Sequence, residues 1–85
     1  MRLDKFLCFA RIVKSRRQAQ ALAEQGHLRV GGRRVERAHL PVRVGDVLTF
    51  AMRGSVRILK VEALPVRRGP PTEARMLYSE MPKGR

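Results

Sequence analysis

Seven residues near the amino terminus carry the chemistry this sequence offers: Arg2, Lys5, Arg11, Lys14, Ser15, Arg16 and Arg17. Six are cations and one is a hydroxyl, a set suited to holding an anion rather than to breaking a bond. Lys14–Arg17 stand where an apolar helical repeat begins. A helix start presents free backbone N–H groups and a partial positive charge, which together receive a phosphate. Ordinary sequences place acids in such a first turn. Arginines there oppose the helix dipole, at a cost of ~0.3–1 kcal/mol per exposed charge. The bland alternative is a solvated basic face that aids solubility, but a local penalty argues for function. Arg33 and Arg34 follow a Gly31-Gly32 turn and are placed to reach the same phosphate backbone from the sheet side; the alternative is an exposed hairpin tip. Arg67 and Arg68 read as solvated loop charges.

The catalytic readings are weak. Cys8 with His27 or His39 would be a nucleophile and base only if the fold joined them. A lone Cys in an apolar helix is usually a small hydrophobe. One Cys and two distant His do not supply three or four metal ligands. There is no Walker loop or dinucleotide fingerprint. The sequence therefore implies no catalytic residue, no metal and no cofactor.

The elements that position the cations follow from periodicity. Leu3, Phe6, Leu7, Ala10 and Val13 recur at helical spacing and predict a first helix over 3–12. Phe6 lies on its core stripe. Phe9 lies off it, near Arg2 and Lys5, where it is able to stack on a base. Ser15-Arg16-Arg17-Gln18 has the pattern of a capping box. Ala19, Leu22 and Ala23 continue a second helix over 16–25, which Gly26 ends. The connection is so short that the helices must meet at a sharp angle. Beyond Gly26 the period becomes two. Leu28 and Val30 predict a strand, Gly31-Gly32 a tight turn, and Val35 the start of a short return strand. Val47–Met52 and Val56–Leu64 predict a hairpin around Arg53-Gly54-Ser55. The apolar phase slips between Ile58 and Leu59, which calls for a bulge or for burial on both faces. Thr72 is placed to cap a last short helix through Tyr78. The predicted class is α+β: two N-terminal helices packed on a small antiparallel sheet, with a short C-terminal helix. Residues 1–80 form one domain, and 81–85 a tail.

Composition agrees with an anionic partner. The 85 residues hold 19 Lys and Arg against 7 Asp and Glu, for a net charge of +12. Residues 1–34 hold nine cations and two acids, a net +7, so the first two fifths of the chain carry more than half of that charge. So short a chain leaves no room for a catalytic domain beside an accessory one. A single Cys allows no internal disulfide, which favours the cytoplasm. The longest apolar run, Phe6–Ala10, is too short for a signal-peptide core or a membrane span.

Arg2-Leu3-Asp4-Lys5-Phe6-Leu7, then Arg11 and Lys14-Ser15-Arg16, resembles the opening of the RNA-binding domain named after ribosomal small-subunit protein S-four. Gln25-Gly26-His27-Leu28-Arg29-Val30-Gly31-Gly32 and Val44-Gly45-Asp46-Val47 continue the pattern, so the resemblance covers about 2–52. Pro71-Thr72-Glu73-Ala74-Arg75-Met76-Leu77-Tyr78 is similar to the end of the heat-shock-type, ribosome-associated branch. The resemblance implies an alpha-L motif whose two helices and adjoining hairpin face RNA. It implies ribosomal RNA and tRNA as partners, on a large subunit blocked by a nascent chain on tRNA. A short sister group assists alanine tailing in ribosome-associated quality control, and the length here suits that group. That branch usually has tryptophans where Phe6 and Cys8 stand, and a longer charged C-terminal extension. The family's RNA-contact positions correspond to Arg2, Lys5, Arg11, Lys14, Ser15 and Arg16; Arg17 is added from helix geometry.

The resulting expectation is a cytoplasmic, monomeric, non-catalytic RNA-binding module without a membrane partner. It grips phosphates by charge and shape. Three rivals stand beside it. A helix-turn-helix would bind duplex DNA and read bases with Gln18 and Gln20. A structural ribosomal protein would be present at one copy per particle. An accessory domain of an RNA-modifying enzyme would need a fused catalytic segment. The expectation requires the inter-helix corner to be neither covered by the chain's own tail nor neutralised by its own carboxylates.

Overall fold

In the computed structural model, which describes residues 1–82, α1 spans Leu3–Phe9 and α2 spans Arg16–Glu24. The first helix ends three residues short of the predicted 12. The Ile12 N–H donates to the Leu7 carbonyl at 3.0 Å and the Arg11 N–H to the Cys8 carbonyl at 3.1 Å. These two bonds define a Schellman cap, whose C′ residue must be left-handed. That residue is Arg11, with φ 59°. Helix two ends in the same way with the expected residue: Gly26, φ 75°, is C′, and the His27 N–H donates to the Leu22 carbonyl at 3.0 Å. Glycine adopts this conformation freely, whereas arginine pays about 1–3 kcal/mol for it. A sequence reading has no reason to stop a helix at an arginine.

The five strands are β1 (Leu28–Val30), β2 (Arg33–Arg34), β3 (Val47–Met52), β4 (Ser55–Val61) and β5 (Tyr78–Met81). They form one antiparallel sheet in the order β2-β1-β3-β4-β5. Both tight hairpins turn through two residues with positive φ, Gly31-Gly32 and Arg53-Gly54. The return strand after the first turn is Arg33–Arg34, and not the segment opening at Val35 that the sequence predicted. The buried Val35 instead donates its N–H to the Leu28 carbonyl and joins the core.

The phase slip in β4 is not a bulge, since its register against β3 is unbroken from Val47↔Lys60 to Met52↔Ser55. Leu59 is buried on the helix-bearing face and Ile58 is half-buried on the other. The strand stops at Val61, before the predicted Leu64, because Glu62 and Ala63 both turn their N–H groups to the Leu77 carbonyl. The predicted final helix is one turn, α3 (Pro71–Ala74), followed by a 3-10 turn at Arg75–Leu77. Pro70 is its N-cap, in place of Thr72. Tyr78 becomes extended because β4 has an unpaired edge, and pairing along Ile58–Val61 outweighs helix propensity. Met81, assigned to the tail by the sequence, closes β5; residues 83–85 of that tail lie outside the described residues.

Leu3, Phe6 and Leu7 of α1, Ala19 and Leu22 of α2, and Leu28, Leu48, Phe50, Leu59 and Val61 of the sheet form the shared core. The amino-terminal segment is tied down as well. Leu3 and Asp4 donate to the carbonyls of Leu40 and Ala38, and Val42 donates back to Met1. The helices therefore sit on one sheet face with their connection held at a fixed angle.

Candidate nucleic-acid interface

The corner between the helices is built on the N-cap of α2. Ser15 accepts from the Gln18 N–H at 3.2 Å, as the capping box predicts. The reciprocal bond lands one residue early: Gln18 Oε1 accepts from the N–H of Lys14 at 2.9 Å, not from Ser15. This commits one of the two glutamines that a DNA reader would need to holding the corner's shape. Arg2, Lys5, Arg11, Lys14, Ser15, Arg16 and Arg17 are all exposed.

One carboxylate organises part of this charge. Asp4 is fully buried at the start of α1. Its oxygens accept from the Lys5 N–H at 2.7 Å and from the Arg2 guanidinium at 3.2 and 2.9 Å. The Arg16 guanidinium approaches to 3.6 Å. Asp4 thus brings an arginine from before α1 and one from the first turn of α2 to a single point. The Lys5 ammonium lies 5.4 Å from the centre of the half-buried Phe9 ring, a cation–π contact on the same helix. Phe6 is core, as its place on the stripe requires.

The loop 67–69 reaches the corner from the other side, which the sequence did not show. Arg11 Nε donates to the Gly69 carbonyl at 2.8 Å, and the Arg68 guanidinium donates to the Lys14 carbonyl at 3.3 Å. Arg68 also stands 4.0 Å from Cys8 Sγ. This approach brings a seventh cation, and the one acid that comes with it, Glu73, packs beside Gly69 and pairs with Arg67 at 3.2 Å. Among the described residues the corner is flanked by the chain and stays exposed, and its buried carboxylate, Asp4, pairs with two of its cations, Arg2 and Arg16. Beyond Arg68 lies a groove whose far wall carries Arg53 and Arg57, from the β3–β4 hairpin. Arg57 is held by Glu80 at 2.7 and 3.3 Å. The hydrogen bond to Glu80 raises the Arg57 pKa above its ordinary value against the opposing pull of burial, so this guanidinium stays charged at any working pH. No sequence signal marked Arg53, Arg57 or Arg68, since each reaches the groove through tertiary contacts.

Arg33 and Arg34 are not brought to this corner. The Arg34 guanidinium packs against Gly26, where an added Cβ would meet its Cζ at 2.9 Å. Gly26 follows the carboxyl end of α2, about 14 Å of helix from the capped end. Among the described residues, no group of three or more His, Cys, Asp or Glu is placed to hold a metal ion. Among the same residues, no helix is long and apolar enough to cross a membrane.

The S4 domain family model matches residues 1–48, which include the whole of this corner. The chain belongs to the S4 domain family. Heat shock protein 15 of Escherichia coli is 34% identical over 80 residues, 94% of this chain and 59% of that protein. The RQC P-site tRNA stabilizing factor of Halalkalibacterium halodurans is 39% identical over 67 residues, 79% of this chain and 73% of that one. A solved heat shock protein 15 of Vibrio cholerae, described as trimeric, superposes with a TM-score of 0.89 at 30% identity, covering 95% of this chain and 81% of that one. This chain thus spans about three fifths of the length of the Escherichia coli relative. The fold and the S4-type RNA-binding character are those of the family.

Proposed function

We propose that this chain is a non-catalytic factor that binds structured ribosomal RNA, on a large ribosomal subunit carrying a stalled nascent chain on tRNA. It would act in ribosome-associated quality control or recycling, in the cytoplasm. One observation carries this reading: the exposed cations Lys14, Arg16 and Arg17 stand at a capped helix start, where a buried carboxylate joins Arg16 to Arg2 just before the other helix. Backbone donors, helix dipole and side-chain charge converge there on what a phosphate needs. Arg2, Lys5, Arg11, Lys14, Arg16 and Arg17 supply charge, and Ser15 fixes the helix start that supplies donors. The name of one relative supports the ribosomal setting, through the P-site tRNA it stabilises.

Arg33 and Arg34 form a separate basic end of the molecule, able to hold a neighbouring stretch of the same backbone. The binding unit is a monomer, because a +12 chain repels its own copies. Sedimentation at the binding concentration tests this, and a trimer like the Vibrio relative would refute it. The reading as a whole is tested by crosslinking the protein to RNA in cells and sequencing the attached fragments. Ribosomal RNA and tRNA are expected; fragments drawn evenly from messenger RNA would overturn the reading, and competition by duplex DNA would favour the helix-turn-helix rival.

A further inference from the structure

The groove between the inter-helix corner and the β3–β4 hairpin has a volume of about 440 Å³, within the ~300–1,000 Å³ range of small-ligand clefts. Arg11, Lys14 and Arg68 form one wall and Arg53 and Arg57 the other, with no carboxylate among its lining residues. Past Gln18, Met52 and Arg53 it continues into a more apolar trough of about 510 Å³, bordered by Ala21, Leu22 and Ala51. A ligand that fits both parts is anionic at one end and flat or apolar at the other.

The backbone singles out the same place. Only two non-glycine residues among those described have positive φ, Arg11 at 59° and Arg53 at 52°. One is the C′ residue of a Schellman cap and the other opens a two-residue hairpin turn. Both positions ordinarily take Gly or Asn. Both hold arginine instead, on opposite walls of one groove. Both arginines line the same groove, and backbone strain of this kind clusters at ligand sites. Three guanidinia are also fixed in advance: Arg11 by the Gly69 carbonyl, Arg68 by the Lys14 carbonyl and Arg57 by Glu80.

We infer that this groove receives one unpaired nucleotide extruded from the bound RNA, its phosphates between the two arginine walls and its base in the trough against α2. The inference rests on the RNA-binding reading and adds a preference to it. A duplex is too wide to enter, and a phosphate alone would leave the trough empty. Single-stranded loops and bulges are where RNA offers splayed bases to guanidinium planes and to aromatic or imidazole rings, and Arg53 and His27 both border the trough.

The test compares an RNA stem-loop carrying a one-nucleotide bulge with its fully paired counterpart, by fluorescence anisotropy at fixed salt. The wild type is expected to bind the bulged RNA about tenfold more tightly, the worth of one good charge-assisted contact. Arg53→Asn makes the turn Asn-Gly, so its melting temperature is expected to rise by about 3–6 °C while the preference for the bulge is lost. Ala21→Leu, which fills the trough without touching a charge, is expected to remove the preference too. Arg16→Ala is expected to weaken both RNAs and keep their ratio. Equal wild-type affinities, or a ratio unmoved by Arg53→Asn and Ala21→Leu, would overturn the extruded-nucleotide site and leave RNA binding standing. Binding to neither RNA would overturn both.

Discussion

Replacing Arg16 by Ala separates the folding role of the corner from its binding role, because the two effects differ in size. Arg16 is the first residue of α2, and its side chain is 48% exposed. Among the described residues its one ion pair is the 3.6 Å approach to Asp4. Half-exposed pairs of this kind contribute about 0–1 kcal/mol. Asp4 is not orphaned by the change, since it keeps both Arg2 nitrogens and the Lys5 N–H. Removing a cation from the first turn of a helix returns about 0.3–1 kcal/mol. The two terms nearly cancel, so the melting temperature is expected to move by less than about 4 °C. Binding has no such compensation. A charge-assisted hydrogen bond to phosphate is worth ~1.5–3 kcal/mol, so affinity for ribosomal RNA should fall about ten- to a hundredfold. If about five phosphates are engaged, the wild-type log–log salt slope is roughly −3.5 to −4.5, and the variant should lose ~0.7–0.9 of it. Filter binding over a salt series reads affinity and slope together, and circular dichroism checks helix content. Affinity and slope both unchanged in a folded variant would refute the proposed contact.

The other expectations follow the same geometry. Reversing Arg11 and Lys14 together to Glu should release the protein from ribosomes in a sucrose gradient; continued co-migration would move the interface to the sheet or the C-terminal arginines. Arg68→Ala removes a cation held on the Lys14 carbonyl and should weaken RNA binding severalfold with little loss of stability, which filter binding and thermal melting check together. Gly26→Ala puts a side chain at φ 75° against the Arg34 guanidinium and should cost about 1–3 kcal/mol, seen as a lower urea midpoint with unchanged slope.

The parts legible in the sequence were those set by local periodicity and by turn residues. Leu3, Phe6 and Leu7 announce α1, Gly26 ends α2, and Val47–Met52 is the strand its alternation describes. The parts that were not legible depend on partners distant in sequence. Nothing local to Tyr78 tells it to pair with Val61 rather than end a helix. Arg11 carries no sign that it will stand where a glycine usually stands, so the periodicity predicts an α1 that runs on to 12. The site divides in the same way. The corner's own cations are contiguous with one helix start and were visible. Arg68 comes from 54 residues beyond Lys14 and shows itself only through its bond to that carbonyl.

Asp4 shows why a carboxylate in a phosphate site need not defeat it. Taken alone it removes one unit of charge from the corner. Yet a free arginine loses about 2 kcal/mol of side-chain rotamer freedom when a ligand orders it. Asp4 holds Arg2 through two hydrogen bonds and draws in Arg16, so part of that ordering is complete before any RNA arrives. It is buried, so its own charge faces the protein and not the ligand. The exchange favours binding only while the carboxylate stays charged and in place. Asp4→Asn keeps the shape and loses the charge. It should destabilise the fold by about 1–3 kcal/mol, through weakened bonds to Arg2 and the loss of an acid from the first turn of α1. It should also fail to tighten RNA binding despite adding net positive charge, because Arg2 and Arg16 are then free to wander. A variant that binds RNA more tightly than wild type at equal salt would show that charge alone, and not its placement, sets the affinity of this corner.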